Sequence, residues 1–107
     1  MPVASGMPAL DDLHAPIFTI GQASELLGLE VGALRRLDLY GTGEPSRSTG
    51  GQRRYSRFQL ERLARIQVLM SDGLTAAGAG RVVDLEDKVA QLEADLAIAT
   101  AGRRAVR

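Results

Sequence analysis

The stretch Gly50 to Gln59, GGQRRYSRFQ, constrains the fold most, because a turn, a strand and a helix start follow one another within it. Gly50 and Gly51 can take positive φ without steric cost and suit a hairpin tip, with Arg47-Ser48 and Arg53-Arg54-Tyr55 as the short flanking strands. Ser56 then offers a hydroxyl to the free amides of a first helical turn while Gln59 reaches back, the S-x-x-Q form of the capping box. A basic hairpin therefore feeds directly into a helix. Arginines and a tyrosine on a β-ribbon can reach phosphate oxygens, so the hairpin has the form of a wing beside a DNA-binding helix pair.

Such a pair is predicted just upstream. Ordered structure is expected to begin at Phe18-Thr19-Ile20. Gln22 to Leu27 then reads as a short helix with Ala23, Leu26 and Leu27 inward, stopped at Gly28. A second helix over about Val31 to Leu39 places Val31, Leu34 and Leu37 on one stripe and Arg35 and Arg36 elsewhere. Helix, glycine turn, helix is the helix-turn-helix pattern, whose second helix enters the major groove. Taken alone it also fits an ordinary helical core; the wing is what favours DNA.

Beyond the wing, Phe58, Leu60, Leu63, Ile66, Leu69 and Met70 set a helix to about Asp72, closed by Gly73. Thr75 can cap a further helix through Leu85, with tight packing selecting Gly78 and Gly80 within it. The last periodic segment is Val82, Leu85, Val89, Leu92, Leu96 and Ala99, alternately three and four residues apart, which is a heptad seam. A helix of about 27 Å is too short to be secure alone in water. The seam either folds back on its own domain or dimerises, and its narrow, charge-flanked stripe favours dimerisation.

Charge is distributed unevenly although the net charge is formally zero. Arginines 47, 53, 54, 57, 62 and 65 face one acid, Glu61, between Pro45 and Gln67, whereas acids 84, 86, 87, 93 and 95 face only Lys88 further on. A basic middle with an acidic tail can hold a phosphate-attracting face on a neutral molecule. A solvated helix face would account for Arg57, Arg62 and Arg65, but less well for Arg53-Arg54 beside a glycine turn.

Composition excludes more than it proposes. With 107 residues, 45% of them hydrophobic, one modest core is expected and no second full domain. Cysteine is absent, which removes disulfides, thiolate metal sites and thiol redox chemistry. His14, the single histidine, stands in a proline-containing segment without partners nearby, so no metal site, no cofactor and no catalytic residue is expected, and an enzyme is the weakest reading. No apolar run approaches the ~20 residues that cross a bilayer. The expected setting is the cytoplasm, on the nucleoid. The expected organisation is a flexible arm over 1–17, a winged helix-turn-helix domain over 18–81, a coiled-coil dimerisation helix over 82–99 and a frayed tail over 100–107.

With helix pair, wing and terminal zipper in order, the chain resembles the MerR family of bacterial transcription regulators from about Phe18 to Ala99. The matching residues are Phe18-Thr19-Ile20-Gly21, the Leu34-Arg35 pair, Pro45-Ser46-Arg47, and above all Gly51-Gln52-Arg53-Arg54-Tyr55-Ser56. The chain is most similar to small members without an effector domain, including the heat-shock-repressor branch, which carries an Ala-Gly element where Ala77-Gly78 stand. It departs from the family at Thr42 and Gly43, where apolar residues are usual, at Glu30 in place of a serine cap, and at Ala33 in place of a threonine.

The resemblance implies a mainly α fold, a winged helix-turn-helix domain followed by a coiled-coil dimerisation helix. It implies a homodimeric, sequence-specific regulator on an inverted-repeat operator. Arg35 is carried over as a groove residue and Arg36 joins it from its place on the exposed face; Arg47, Arg53, Arg54 and Tyr55 would hold phosphate. Val82, Leu85, Val89, Leu92 and Leu96 would join two copies, antiparallel by resemblance. RNA polymerase or a cofactor protein is a further candidate partner. Two other classes stay open: a protein-interaction adapter working through the C-terminal helix, and an excisionase-like recombination accessory factor.

Overall fold

Two helices begin with the same device. Thr19 Oγ1 accepts from the Gln22 amide at 3.0 Å, and the Gln22 side chain accepts from the Thr19 amide at 2.9 Å. Ser56 and Gln59 repeat the arrangement at 3.1 and 2.8 Å. Each reciprocal pair satisfies amides that a first helical turn leaves open. The boxes start α1 (Ile20–Leu27) and α3 (Arg57–Ser71). The computed structural model describes residues 11–41, 46–47 and 50–106.

Helix α2 (Val31–Gly41) follows α1 across Gly28, and α4 (Ala76–Val106) follows α3 across Gly73. Thr75 caps α4 by accepting from the Gly78 amide at 3.0 Å. Three short antiparallel strands, β1 (Phe18–Thr19), β2 (Ser46–Arg47) and β3 (Arg53–Tyr55), form a sheet with β3 in the middle. Tyr55 pairs with Phe18 and Arg53 with Arg47, which places the wing against the entry to α1. Gly51, at φ 81°, supplies the left-handed residue of the hairpin tip. The fold is mainly helical and carries the expected wing.

The core lies where α1, α2, α3 and the first turns of α4 meet β3. Leu34, Tyr55, Leu63, Ile66 and Val83 are its largest fully buried side chains. Ala23 and Ala79 let the helices approach. Gln67 Nε2 donates to the Leu27 carbonyl at 3.1 Å and so closes an exposed end of α1 onto α3.

Several expectations change here. Leu26 was expected inward but is 65% exposed. The inward stripe of α1 runs through Ile20, Ala23 and Leu27, and Leu26 falls about 100° off it. Residues 11–17, expected in a flexible arm, lie against α3: the Phe58 amide donates to the Leu13 carbonyl at 2.9 Å, and the His14 ring stands 4.8 Å from that of Phe58. The arm therefore covers a ring that would otherwise be more exposed, and it satisfies one of the first-turn amides of α3. Helix α4 runs unbroken from Ala76 through the segment expected to be a frayed tail, as far as Val106. Thr42 and Gly43, where the chain departs from the family, and the strand position Ser48 lie outside the described residues.

Past Asp87, the last residue of α4 that pairs with α3, the long helix leaves its own domain. Val82 is half-buried, whereas Leu85, Val89, Leu92 and Leu96 are each more than half exposed. The radius of gyration, 17.1 Å, exceeds the roughly 13 Å of a compact chain of this length, as a projecting helix requires.

Candidate nucleic-acid interface

Helix α2 buries Leu34 and Leu37 and turns Gly32, Arg35, Arg36 and Leu39 outward. Periodicity alone places them so, since these four share the side of the helix away from Leu34 and Leu37. Arg35 and Arg36 are exposed and, among the described residues, make no ion pair. Arg36 also edges an open, mostly apolar cleft of about 550 Å³ lined by Leu29, Ala33, Tyr40 and Met70. Leu39, at 79% exposure, was not singled out from the sequence; its signal is an apolar side chain one turn beyond Arg35 on the same outer face.

The wing sorts its residues by the alternation of a strand. Arg53 and Tyr55 share one face of β3, and that face meets α2. Asp38 receives both: Oδ2 accepts from Arg53 Nε at 2.9 Å and from the Tyr55 hydroxyl at 2.8 Å, and Oδ1 accepts from Arg53 Nη2 at 3.1 Å. The Arg53 guanidinium also lies 4.2 Å from the Tyr55 ring centroid. Burial, reinforced by the bond to Asp38, pushes the Tyr55 phenol up to about 12.

Phosphate contact from Tyr55 is thus not what the structure shows. Its side chain is fully buried and its hydroxyl is committed to Asp38. Arg53 is likewise engaged inside the fold, with only 10% of its side chain exposed. Arg54 points to the other face, opposite Thr19 and Ser46, and its side chain makes no ion pair among the described residues. Arg47 sits on β2 opposite Arg53. Asp38 was missed from sequence; the available signal was a single acid on a helix whose other charges are arginines.

The remaining arginines of the basic stretch are mostly neutralised within the fold. Arg62, expected on a solvated face, is buried and paired with Asp84 and Asp87. Arg65 reaches Asp87 at 2.7 Å and Glu86 at 2.8 Å. Burial alone would raise the Asp87 pKa, but hydrogen bonds from Arg65 and Arg62 outweigh it and hold the carboxyl below the usual range. Hydrogen bonds to Asp87 and Glu86 in turn raise Arg65. Arg57 pairs with Glu61 at 3.2 Å on an exposed face. Asp84, Glu86 and Asp87 therefore clamp α4 to α3, and among the described residues the cations near the wing without an ion pair include Arg35 and Arg36, both exposed, and Arg54, half-buried.

An outward, arginine-bearing second helix beside a basic hairpin is the arrangement of a winged helix-turn-helix. Residues 18–86 match the MerR HTH family of regulatory proteins. The chain belongs to that family. It is 40% identical over 80 residues to a Streptomyces coelicolor protein named for the heat shock protein HspR, a match that takes in 74% of this chain and 53% of that one. The chain thus spans about half the length of this curated relative. Among solved structures, the fold is similar to HiNmlR, a MerR family regulator lacking the sensor domain, in its crystal structure bound to promoter DNA. That match has a TM-score of 0.56 and 23% identity over 80% of this chain and 79% of the other, so the likeness is one of fold. The MerR assignment agrees with the family that the sequence resembles. None of the helices described is long and apolar enough to cross a membrane.

Proposed function

We propose that this MerR-family chain is a sequence-specific, DNA-binding transcription regulator that acts as a homodimer on an inverted-repeat operator. The observation that carries the reading is the outer face of α2, where Arg35 and Arg36 are exposed and make no ion pair among the described residues, while Arg53, Arg57, Arg62 and Arg65 are each paired with acids. Arg35 and Arg36 enter the major groove, and Arg54 and Arg47 of the wing hold the phosphate backbone. The exposed Leu85, Val89, Leu92 and Leu96 of α4 join two copies, with Val82 at the edge of each domain. HspR and the promoter-bound HiNmlR support a regulatory role by relationship.

Selection of bound fragments from a genomic library tests the reading. Enrichment of a defined palindrome is the expected result. Lack of enrichment favours an adapter that works through α4, and enrichment confined to an attachment site favours a recombination accessory factor.

A further inference from the structure

The wing joins the rest of the domain through a small sheet, in which β3 pairs with the two residues of β1 and runs on into α3. Strands β2 and β3 contain two and three residues, and a short hairpin of that kind is marginal in water by itself. Its angle to α2 needs a further connection, and Asp38 supplies one. The carboxylate uses both oxygens on Arg53 and one of them again on Tyr55, three bonds between 2.8 and 3.1 Å from one side chain of α2 to two alternate residues of β3. Only 15% of the Asp38 side chain and 10% of the Arg53 side chain are exposed. A bidentate fork shielded to this degree is directional as well as attractive, and it adds geometric restraint where an exposed pair would not.

The position of the acid is also electrically unexpected. A helix that approaches a polyanion gains nothing from a carboxylate, which repels phosphate unless a cation masks it. Arg53 supplies the mask, and its planar fork is thereby turned inward. Arg54, on the opposite face of the strand, is half-buried and makes no ion pair among the described residues.

We infer that Asp38 is a positioning residue for DNA recognition: through Arg53 and Tyr55 it sets the angle between the groove helix and the wing. The inference rests on the DNA-binding reading above and adds to it a division of labour between Arg53, which holds the wing, and Arg54, which touches the backbone.

The sign of one substitution separates this role from its alternatives. If Asp38 is a bystander or serves stability alone, Asp38→Asn removes a negative charge beside the DNA, and the folded protein binds the selected operator as tightly as wild type or more tightly. If Asp38 positions the wing, Asp38→Asn weakens binding about tenfold in spite of the favourable charge change. The slope of log affinity against log salt then falls by about 0.9 for each wing phosphate released. The order of preference across singly substituted operators stays as in wild type, because α2 still reads bases.

Arg53→Lys supplies a second test that does not depend on Asp38→Asn folding well. Lysine keeps the charge and the reach to phosphate but cannot form the fork. The positioning role requires Arg53→Lys to weaken binding as Asp38→Asn does, and the double variant to be no weaker than either single one. Wild-type affinity and slope in Arg53→Lys, or tighter binding in folded Asp38→Asn, overturns the inference while leaving the regulator intact. If wild type selects no DNA sequence, it is the regulator reading that fails.

Discussion

A Cβ built on Gly80 would lie 2.4 Å from the carbonyl oxygen of Tyr40. The first turns of α4 therefore touch the backbone of α2 at its C-terminal end, and glycine is the residue that permits it. This crossing ties the groove helix to the root of the projecting helix.

Gly80→Ala should consequently lose stability even though alanine is the better helix former by about 1 kcal/mol. Moving two backbones apart in a packed core costs about 1 to 3 kcal/mol, so a net loss of up to about 2 kcal/mol is expected. Gly78→Ala is the matched control: its nearest neighbour is the Thr75 side-chain oxygen at 3.2 Å. Urea unfolding at one fixed protein concentration checks both, with Gly80→Ala the lower midpoint of the two.

Tyr55 should tie stability to high pH. Its phenol is held protonated in the folded state, with the pKa raised to about 12 by burial and by Asp38, against about 10 in an unfolded chain. A group whose folded pKa is raised contributes stability that is fully present below pH 10 and is lost as pH rises through 12. In a Tyr40→Phe background, which leaves Tyr55 as the sole tyrosine, phenolate absorbance should appear together with loss of circular dichroism. A titration of Tyr55 near pH 10 with the helices intact would contradict its burial.

The clamp between α3 and α4 acts at the other end of the scale. Asp87 is held below the usual carboxylate range in the folded state, so its contribution is present above about pH 3.9, the unfolded value, and is lost as pH falls through the folded one. Asp87→Asn should lower stability at pH 7 and flatten the acid limb below pH 4. Arg62→Ala, which strips the buried partner from Asp84 and Asp87, should cost about 1 to 3 kcal/mol at pH 7. Urea midpoints from pH 7 to pH 2 give both quantities.

The parts of this molecule that depend on neighbours in sequence are legible in the sequence alone. Ser56-x-x-Gln59 caps α3, Gly51 turns the hairpin, and a seam with alternate spacings of three and four emerges as an exposed stripe. What depends on how helices face one another is not legible there. Arg62 looks like a surface cation until α4 folds back along α3 and brings Asp84 and Asp87 to it. Tyr55 looks like a wing tip residue until α2 places Asp38 beneath it. Leu26 fits a helical stripe of leucines, yet a helix as short as α1 has room for one stripe only, and Ala23 with Leu27 occupies it. At the candidate interface, the residue types are apparent, but the separation of Arg53 from Arg54 needs the register of β3.

That separation gives different expectations for the free arginines. Arg35→Ala or Arg36→Ala should relax preference at one or two positions in each half-site, since a bidentate arginine to guanine is worth about 1 to 3 kcal/mol of discrimination. Arg54→Ala should weaken all sequences alike and lower the salt slope by about 0.9 per contact. Binding to a panel of singly substituted operators at several salt concentrations checks all three. Uniform loss from Arg35→Ala and Arg36→Ala would assign those residues to phosphate.

The seam should decide whether these contacts suffice for tight binding. One winged domain reads few base pairs, and joining two makes the second contact intramolecular, which can raise avidity by about 10² to 10⁴ without a new protein–DNA bond. Val89 and Leu92 lie beyond the domain core and are more than half exposed in the single chain. Replacing both by glutamate should leave the core around Leu34, Tyr55, Leu63 and Ile66 folded. The variant should sediment as a monomer, lose tight operator binding, and retain weak binding to a half-site with wild-type base preference. A wild type that is already monomeric at concentrations where it binds the operator tightly would remove the dimer from the mechanism. The exposed leucines and valine of α4 would then be free to receive a helix from another protein.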